Sequence, residues 1–164
     1  DACYAVCNYV AGSEADFVTL MNQKAQEIGM TATNFANATG LQDENHYSTC
    51  QDMAKLLEYA IKNDTFKTIF STHIYTTKAT SVHSAGIALS STTFINLPSS
   101  TLDNGTTIIG GKTGYTDEAG HCLASLAKDA NGVEYILVTA GAAGDANATP
   151  HITDAVTVYS QLPA

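Results

Sequence analysis

Apolar residues recur at helical spacing in the first part of the chain. Between Ser13 and Gly29 they form one stripe, which predicts an amphipathic helix with the apolar face Phe17, Leu20, Met21, Ala25 and Ile28. Ser13 followed by Asp16 is typical of an N-cap, and Gly29 is typical of a C-terminal cap. The stripe therefore predicts a core-facing helix and no cofactor site.

The same periodicity predicts three further helices around a long loop. Residues 2–10 are predicted helical, with the face Ala2, Val6, Tyr9 and Val10. Residues 30–48 have no periodicity and predict a loop that is functional or packs on itself. Thr49 and Asp52 open the next helix, with the face Met53, Leu56, Leu57, Ala60 and Ile61. Asn63-Asp64 caps a shorter helix through Phe66, Ile69 and Phe70.

The pattern changes to strands in the second part of the chain. Residues 75–93 are rich in Ser and Thr and predict one or two short strands or an exposed excursion. Residues 108–116, 121–128 and 133–140 predict three strands, with turns at Asn104-Gly105 and Asn131-Gly132. Pro150 predicts the start of a last helix, with the apolar face Ile152, Ala155, Val156, Tyr159 and Leu162. The order favours a single α+β domain, mainly helical over 1–72 and mainly sheet over 73–164.

Composition narrows the function classes. The 164 residues carry a formal net charge of −9, and all seven basic residues are lysines, which argues against a nucleic-acid partner. No apolar run is long enough to span a membrane. The four cysteines, Cys3, Cys7, Cys50 and Cys122, lack the paired spacing of a zinc site, so we expect buried free thiols and no metal, although disulfides cannot be assigned from spacing.

The stretch from Ile108 to Thr116 carries the strongest chemical signal. Glycines in a strand indicate close approach by a backbone or ligand, so a lysine and threonines beside them could hold an extended anionic substrate. A glycine bulge with a solvated Lys112 is an equal alternative. A phosphate loop is disfavoured because Thr106 stands where its first glycine belongs, and because a strand follows instead of a helix.

Lys112-Thr113-Gly114 matches the third motif of the penicillin-recognising serine enzymes, and its surroundings extend the match. The chain resembles the D-alanyl-D-alanine carboxypeptidases of the low-molecular-weight penicillin-binding proteins almost end to end. The similar segments are Ala11-Gly12-Ser13, Phe17-Val18, Met21-Asn22, Gly29-Met30, Thr33, Phe35, Asn37, Gly40-Leu41, His46, Ser48-Thr49, Asp52-Met53-Ala54, Gly111 to Thr116, Ala119-Gly120 and Cys122-Leu123.

The resemblance implies a fold and roles for residues. It implies the serine β-lactamase and penicillin-binding-protein transpeptidase-like fold, incomplete at the N-terminus, and an acyl-enzyme reaction on D-Ala-D-Ala stem peptides. Lys112 and Thr113 would bind the substrate carboxylate, Thr116 would line the same site, and Gly114 and Tyr115 would belong to the catalytic motif. The backbone N–H of Tyr115 would be one oxyanion donor. The resemblance further implies β-lactam binding, no cofactor and an extracytoplasmic location.

The sequence also departs from the family pattern. Outside the predicted strand over 121–128, where Ser125 precedes Lys128 by three residues, it contains no Ser-x-x-Lys, and Asp1-Ala2 looks like the position just after the family's Ser-Gly-Asn triplet. The family's proline after the Asn37 equivalent is Ala38, and the arginine often found near the last strand-to-helix junction is absent, with His151 nearby. We therefore expect this chain alone to be inactive, and to pair with a missing N-terminal segment or to form a swapped homo-oligomer.

Two other functions remain open from the sequence. One is a non-catalytic peptidoglycan-binding or sensing module with a degenerate active site, and the other is a β-lactamase-like hydrolase, which the loop and second-helix matches disfavour. Ser84 and Ser90 have no lysine three residues on, and the one that follows Ser125, Lys128, lies on the same predicted strand. His46 and His121 are interpreted as residues with local hydrogen bonds and not as members of a Ser-His-Asp triad.

Overall fold

The predicted helix-then-sheet order is present in the computed structural model, which describes residues 2–164. The helices are α1 (Ala2–Ala11), α2 (Glu14–Glu27), α3 (Cys50–Ala60), α4 (Asp64–Phe70), α5 (Thr92–Ile95) and α6 (Pro150–Tyr159). The strands are β1 (Ile74–Thr76), β2 (Ala88–Ser90), β3 (Thr107–Thr116), β4 (Gly120–Lys128) and β5 (Glu134–Ala142). None of the described helices is long and apolar enough to cross a membrane.

Both ends of α2 are capped as the sequence predicts. The Ser13 hydroxyl accepts a hydrogen bond from the backbone N–H of Asp16 at 3.1 Å and donates one to its carboxylate at 2.7 Å. At the other end Gly29 has φ 80°, and the N–H of Met30 bonds to the carbonyl of Ala25 at 2.8 Å. This is a Schellman cap, in which a left-handed glycine lets the chain turn back and satisfy the last carbonyls.

The loop over residues 30–48 packs on itself and on α3. Asn34 and Tyr47 form an isolated antiparallel bridge across it. The Asn37 side-chain oxygen accepts hydrogen bonds from the backbone N–H groups of Thr39 and Gly40, at 3.2 and 2.8 Å. His46 Nδ1 accepts from the backbone N–H of Ala36 at 3.2 Å, which confirms a local hydrogen bond for this histidine. The loop is therefore held by side chains where no regular element forms.

The Ser/Thr-rich segment after α4 forms a two-stranded antiparallel hairpin, β1 with β2. All six of its strand residues are exposed, in agreement with a predicted excursion of modest strands. The short helix α5 follows and was not predicted. Its four residues, Thr-Thr-Phe-Ile, give too short a stretch for helical periodicity to show.

The larger sheet has three antiparallel strands in the order β3-β4-β5, which places β3 at one edge. The β4–β5 hairpin turns at Asn131-Gly132, where Gly132 has φ 88°. The buried carboxylate of Asp129 accepts the backbone N–H groups of Asn131 and Val133 at 2.9 and 2.8 Å. The turn therefore supplies its own hydrogen bonds and fixes the register of the hairpin.

Helix α6 covers one face of this sheet and forms the core with it. The buried cluster contains Ile108, Leu123, Ala127, Ile152, Ala155 and Tyr159. Within it the hydroxyls of Ser125 and Tyr159 are hydrogen-bonded at 3.0 Å. Burial raises the pKa of Tyr159 to about 12, so the phenol stays neutral in the core. The predicted apolar face of the last helix is thus confirmed.

Two expectations about the first helix and the cysteines are wrong. Helix α1 buries only Cys7, whereas Tyr9 on its predicted apolar face is 92% exposed. Cys3 and Cys50 are also exposed, and Cys122 is partly buried, so buried thiols describe only Cys7. Helical spacing identifies the apolar face of α1, but few side chains of residues 2–164 pack against that face.

Candidate active site

Strand β3 is shaped by close packing on its glycines and by a bulge. The pairing with β4 shifts register between Ile108 and Gly110. A Cβ added at Gly110 would lie 2.5 Å from a ring carbon of Phe70, and one at Gly111 would lie 2.7 Å from Thr93 Cγ2. The bulge interpretation is therefore confirmed, whereas the closest neighbours of Gly110 and Gly111 are the side chains of Phe70 and Thr93, and approach by a ligand stays a prediction.

Lys112 follows these glycines and is exposed. Its ammonium group donates to the backbone carbonyl of Thr113. Four other lysines form ion pairs, but Lys112 has no carboxylate partner within residues 2–164. The strand therefore presents a positive charge that is free to meet an anion.

Thr113 and Gly114 continue the same surface. The Thr113 hydroxyl is hydrogen-bonded to that of Thr92 at 2.6 Å, so the first residue of α5 orients it. Gly114 is exposed, and a Cβ built there would meet only Cys122 Cβ, at 4.0 Å. Unlike Gly110 and Gly111, this glycine leaves open space above the strand, where a ligand backbone could lie.

Tyr115 and Thr116 end the strand in different ways. The Tyr115 hydroxyl donates to the carboxylate of Asp117 at 2.7 Å, and this bond, with burial and nearby acids, raises the tyrosine pKa. The Thr116 hydroxyl accepts the backbone N–H of Ala119 at 3.0 Å and holds the turn into β4. Thr116 does not line the cavity described below. Its contact with substrate and the oxyanion role of the Tyr115 N–H stay predictions.

A pair of histidines lies beside β3. His121, at the start of β4, donates through Nε2 to the carbonyl of Asp145 at 2.8 Å, because a carbonyl can only accept. Its ring contacts the Tyr115 ring at a centroid distance of 4.5 Å. The ring of His151, near the start of α6, stacks on His121 at 5.0 Å with an interplanar angle of 7°. His151 is buried, with 4% exposure.

These elements surround one polar cavity of about 490 Å³. One wall is the strand from Lys112 to Tyr115, the second is α5 through Thr92 and Asn96, and the third is the segment before α6 together with both histidines. A separate hollow of about 250 Å³ lies between α1 and α2, but its lining is almost entirely apolar. The polar cavity is therefore the candidate site, since cation, hydroxyls and imidazoles converge there.

The sequence identified the residues that form one wall of this cavity, but it did not identify those of the other two walls. Lys112, Thr113, Gly114 and Tyr115 lie together on that wall, and their catalytic and substrate-binding roles stay predictions. Thr92 and Asn96 were not predicted, because α5 carries no recognisable pattern. His151 was noted in the sequence because it lies near the junction where the family often has an arginine. Among the described residues no group of three His, Cys, Asp or Glu side chains could hold a metal ion.

The same chain path occurs in solved penicillin-binding enzymes. A serine-to-alanine mutant of Streptomyces K15 DD-transpeptidase superposes with a TM-score of 0.79 at 25% identity, covering 97% of this chain and 61% of that one. A D-alanyl-D-alanine carboxypeptidase from Mycobacterium tuberculosis H37Rv gives 0.78 at 20% identity, covering 97% and 57%. The expected α+β, penicillin-binding-protein transpeptidase-like fold is thereby confirmed.

Curated sequences place the chain in one family. D-alanyl-D-alanine carboxypeptidase DacF of Bacillus subtilis (strain 168) is 33% identical over 131 residues, which is 80% of this chain and 32% of that protein. DacA of Haemophilus influenzae is 29% identical over 143 residues, or 86% and 33%. The chain thus spans about a third of the length of these relatives. Because the profile of the peptidase S11 family, D-alanyl-D-alanine carboxypeptidase, also matches residues 1–144, the chain belongs to that family.

Proposed function

We propose that the cavity beside β3 is the part of a serine-type D-alanyl-D-alanine carboxypeptidase that binds the carboxylate of the substrate. The single observation that carries the proposal is an exposed lysine with no carboxylate partner in the described chain, on an edge strand, in a member of this family. The substrates would be peptidoglycan stem peptides that end in D-Ala-D-Ala, met outside the cytoplasmic membrane.

The site offers a carboxylate two kinds of partner. The Lys112 ammonium supplies charge, and the Thr113 hydroxyl, already oriented by Thr92, supplies a directed hydrogen bond. Hydrogen bonds to charged groups typically contribute about 1.5–3 kcal/mol, so removal of the lysine would weaken binding by about 10- to 100-fold. Lys112 would therefore determine that the substrate ends in a free acid.

The edge position of β3 suits an extended peptide. Within residues 2–164, the sheet order leaves one side of the strand from Gly110 to Thr116 without a neighbouring strand. A peptide stem can add there as a further strand through main-chain hydrogen bonds. The open space at Gly114 would let the peptide lie close to the backbone.

The proposed reaction passes through an acyl-enzyme. A serine would attack the D-Ala-D-Ala bond, D-alanine would leave, and water would hydrolyse the ester. The backbone N–H of Tyr115 would donate to the oxyanion, and one such donor typically contributes about 3 kcal/mol in the transition state. A β-lactam would acylate the same serine. The proposal assigns the serine and its base to no residue of this sequence, because its one Ser-x-x-Lys lies on β4, where Ser125 is buried against Tyr159 and Lys128 is exposed.

The test uses the protein expressed from its own gene, with Lys112→Gln and the matched control Lys128→Gln. Lys128 is also exposed, but it lies at the far end of β4, opposite Thr107. We expect Lys112→Gln to lower kcat/KM for a D-Ala-D-Ala peptide by about 10- to 100-fold, and Lys128→Gln to leave it unchanged. Release of D-alanine and labelling by a fluorescent penicillin are the two measurements.

Three outcomes decide between the functions considered. Loss of both readouts in Lys112→Gln alone supports the carboxypeptidase. Wild-type protein that binds the peptide but neither releases D-alanine nor reacts with penicillin indicates the non-catalytic peptidoglycan-binding module. If the wild-type protein neither binds nor cleaves the peptide, both functions are excluded.

A further inference from the structure

Two threonine hydroxyls meet in the polar cavity, one from α5 and one from β3. The side-chain oxygens of Thr92 and Thr113 are 2.6 Å apart, which is a short hydrogen bond between hydroxyls. Both residues line the cavity. Within residues 2–164 neither hydroxyl has a second hydrogen-bond partner. The pair has two protons and uses one in the bond between them, so the other proton is left for a ligand.

The packing of α5 on β3 brings these hydroxyls together. Gly111 and Thr113 are two residues apart on β3, so they face the same side of the sheet. The buried side chain of Thr93 fills the space that a Cβ at Gly111 would occupy. Because Thr93 is seated against Gly111, the residue before it, Thr92, lies beside Thr113.

Other contacts hold α5 in this place. The ring of Phe94 stacks on that of His73 at a centroid distance of 3.5 Å, and the backbone N–H of Ser91 donates to the His73 carbonyl at 2.8 Å. One turn along, Asn96 Nδ2 donates to the backbone carbonyl of Thr92 at 2.8 Å. The Thr92 hydroxyl is therefore carried by an anchored backbone, as a group that orients another side chain requires.

The chemistry of an anion fixes the direction of the hydrogen bond between the two hydroxyls. A carboxylate can only accept hydrogen bonds, so Thr113 must donate its proton to a bound carboxylate. The Thr113 oxygen must then accept from its neighbour, and Thr92 must be the donor of the pair. A hydroxyl that accepts in this way becomes a better donor, because successive hydrogen bonds polarise one another.

We propose that Thr92 is a positioning residue that determines the specificity of the cavity: its hydroxyl donates to Thr113, Thr113 presents its own proton to the ligand, and a terminal carboxylate is thereby preferred to a terminal amide. The ligand, a peptide that ends in D-alanine, rests on the proposed function, whereas the hydroxyl pair rests on the geometry. Thr92 lies outside every segment that carries the sequence resemblance, so that resemblance assigns it no role.

A terminal amide fits this arrangement less well because its NH₂ group needs an acceptor. The Lys112 ammonium offers only donors, and a Thr113 hydroxyl oriented by Thr92 offers its proton. Without the Thr92 hydroxyl, that of Thr113 can rotate and accept from an amide as readily as it donates to an acid. Removal of the Thr92 hydroxyl should therefore weaken binding of an acid and leave binding of an amide nearly unchanged.

The test measures binding of N-acetyl-D-alanine and of its primary amide by NMR titration of the protein expressed from its own gene. Neither probe contains a D-Ala-D-Ala bond, and we expect wild type to prefer the acid. Thr92→Val keeps the shape of the side chain and removes the hydroxyl. It should weaken binding of the acid by about 3- to 10-fold and change binding of the amide by less than about twofold.

Two further variants separate the hydroxyl from the packing of α5. Thr92→Ser keeps the hydroxyl and should restore the wild-type preference for the acid. Thr101→Val removes a hydroxyl from a second threonine pair, which Thr101 forms with Thr107 at 3.1 Å near the other end of β3. Neither Thr101 nor Thr107 lines the cavity, so this control should bind both probes as wild type does.

Steady-state kinetics with a D-Ala-D-Ala peptide give a second readout. The carboxylate is bound both before and during attack on the peptide bond, so loss of its partner weakens the ground state and the transition state alike. Thr92→Val should therefore raise KM by about 3- to 10-fold with kcat little changed. A merely structural role for Thr92 would instead lower the amount of active protein and leave KM unchanged.

The outcomes separate this inference from the proposed function. If the peptide is cleaved but Thr92→Val keeps the wild-type preference, or weakens acid and amide equally, the inference is wrong and the function stands. Failure of Thr92→Ser to restore the preference also overturns it, since the methyl group would then be responsible. If the preference falls in Thr92→Val but wild type cleaves no D-Ala-D-Ala peptide, the role of Thr92 stands and the proposed function fails. Wild-type protein that neither prefers the acid nor cleaves the peptide overturns both.

Discussion

At the scale of single residues, the glycines of β3 have different functions. Gly110 and Gly111 are buried against Phe70 and Thr93, where any side chain would overlap. Gly114 faces the cavity and has room for a methyl group within the described chain. The first two therefore serve folding, and the third leaves space for a ligand.

A matched pair of alanine substitutions tests this difference. We expect Gly111→Ala to lower the free energy of unfolding by about 1–3 kcal/mol, because the methyl group must displace Thr93. Gly114→Ala should change stability by less than about 0.5 kcal/mol, yet reduce turnover of a D-Ala-D-Ala peptide. Urea unfolding and D-alanine release measure the two effects. Unchanged turnover in folded Gly114→Ala would show that the ligand does not approach this strand closely.

The sequence predicted these glycines only in part. A run of Gly in a strand indicated a bulge, which occurs, or close approach by a backbone or ligand, where the structure instead has side chains. The side chains that approach, Phe70 and Thr93, are distant in sequence, and no local pattern identifies such contacts. For the same reason the sequence could place Lys112 on a strand but could not place Thr92 beside Thr113.

At the scale of elements, the loop over residues 30–48 depends on one buried carboxylate. Asp52, in the first turn of α3, accepts hydrogen bonds from the backbone N–H of Ala32 at 2.8 Å and the hydroxyl of Thr33 at 2.9 Å. Lys55 Nζ bonds to its other oxygen at 2.9 Å. The sequence predicted Asp52 only as part of a helix start, which its bond to Thr49 confirms.

This network predicts a loss of stability in acid. The hydrogen bond from Lys55 lowers the pKa of Asp52, with burial opposing and the Ala32 and Thr33 bonds assisting. Because the pKa of Asp52 is lower in the folded protein than in the unfolded chain, its carboxylate stabilises the fold at pH values above the ordinary carboxyl pKa of about 4. This contribution to stability is lost as the pH falls through the pKa of Asp52 in the folded protein. Asp52→Asn should therefore lower the thermal midpoint at pH 7 and differ less from wild type near pH 3.

The control for this prediction is Asp103→Asn, at an exposed aspartate in the turn that precedes β3. It should leave the thermal midpoint unchanged at both pH values. Asp52→Asn protein that is as stable as wild type at pH 7 would show that the loop is held by its other bonds.

At the scale of the whole molecule, the region formed by the sheet and α6 buries its apolar side chains better than α1 does. The sheet and α6 enclose most of the core cluster, whereas α1 exposes Tyr4, Val6, Tyr9 and Val10. The order of helices and strands was predictable from periodicity and turn residues. Which strand lies at the sheet edge, and which histidine meets the cavity, depends on long-range packing that periodicity does not report.

The exposed surface of α1 predicts association of the 164-residue chain. Contiguous exposed apolar side chains favour contact with another surface. The chain should sediment as an oligomer at micromolar concentration, and the double substitution Tyr9→Ser with Val10→Ser should shift it towards monomer. Val82→Ser changes a side chain that is 81% exposed outside α1, and should have no effect. A monomeric wild-type chain would contradict this prediction.

The position of Lys112 on an edge strand has a consequence for evolution of the chain. An edge strand with small residues and an open side can pair with another chain, and a charged side chain discourages such pairing. Lys112 would then protect solubility as well as hold a ligand. A descendant that lost its ligand would still be selected to keep a polar residue at this position, so a retained lysine is weak evidence of retained catalysis in distant relatives.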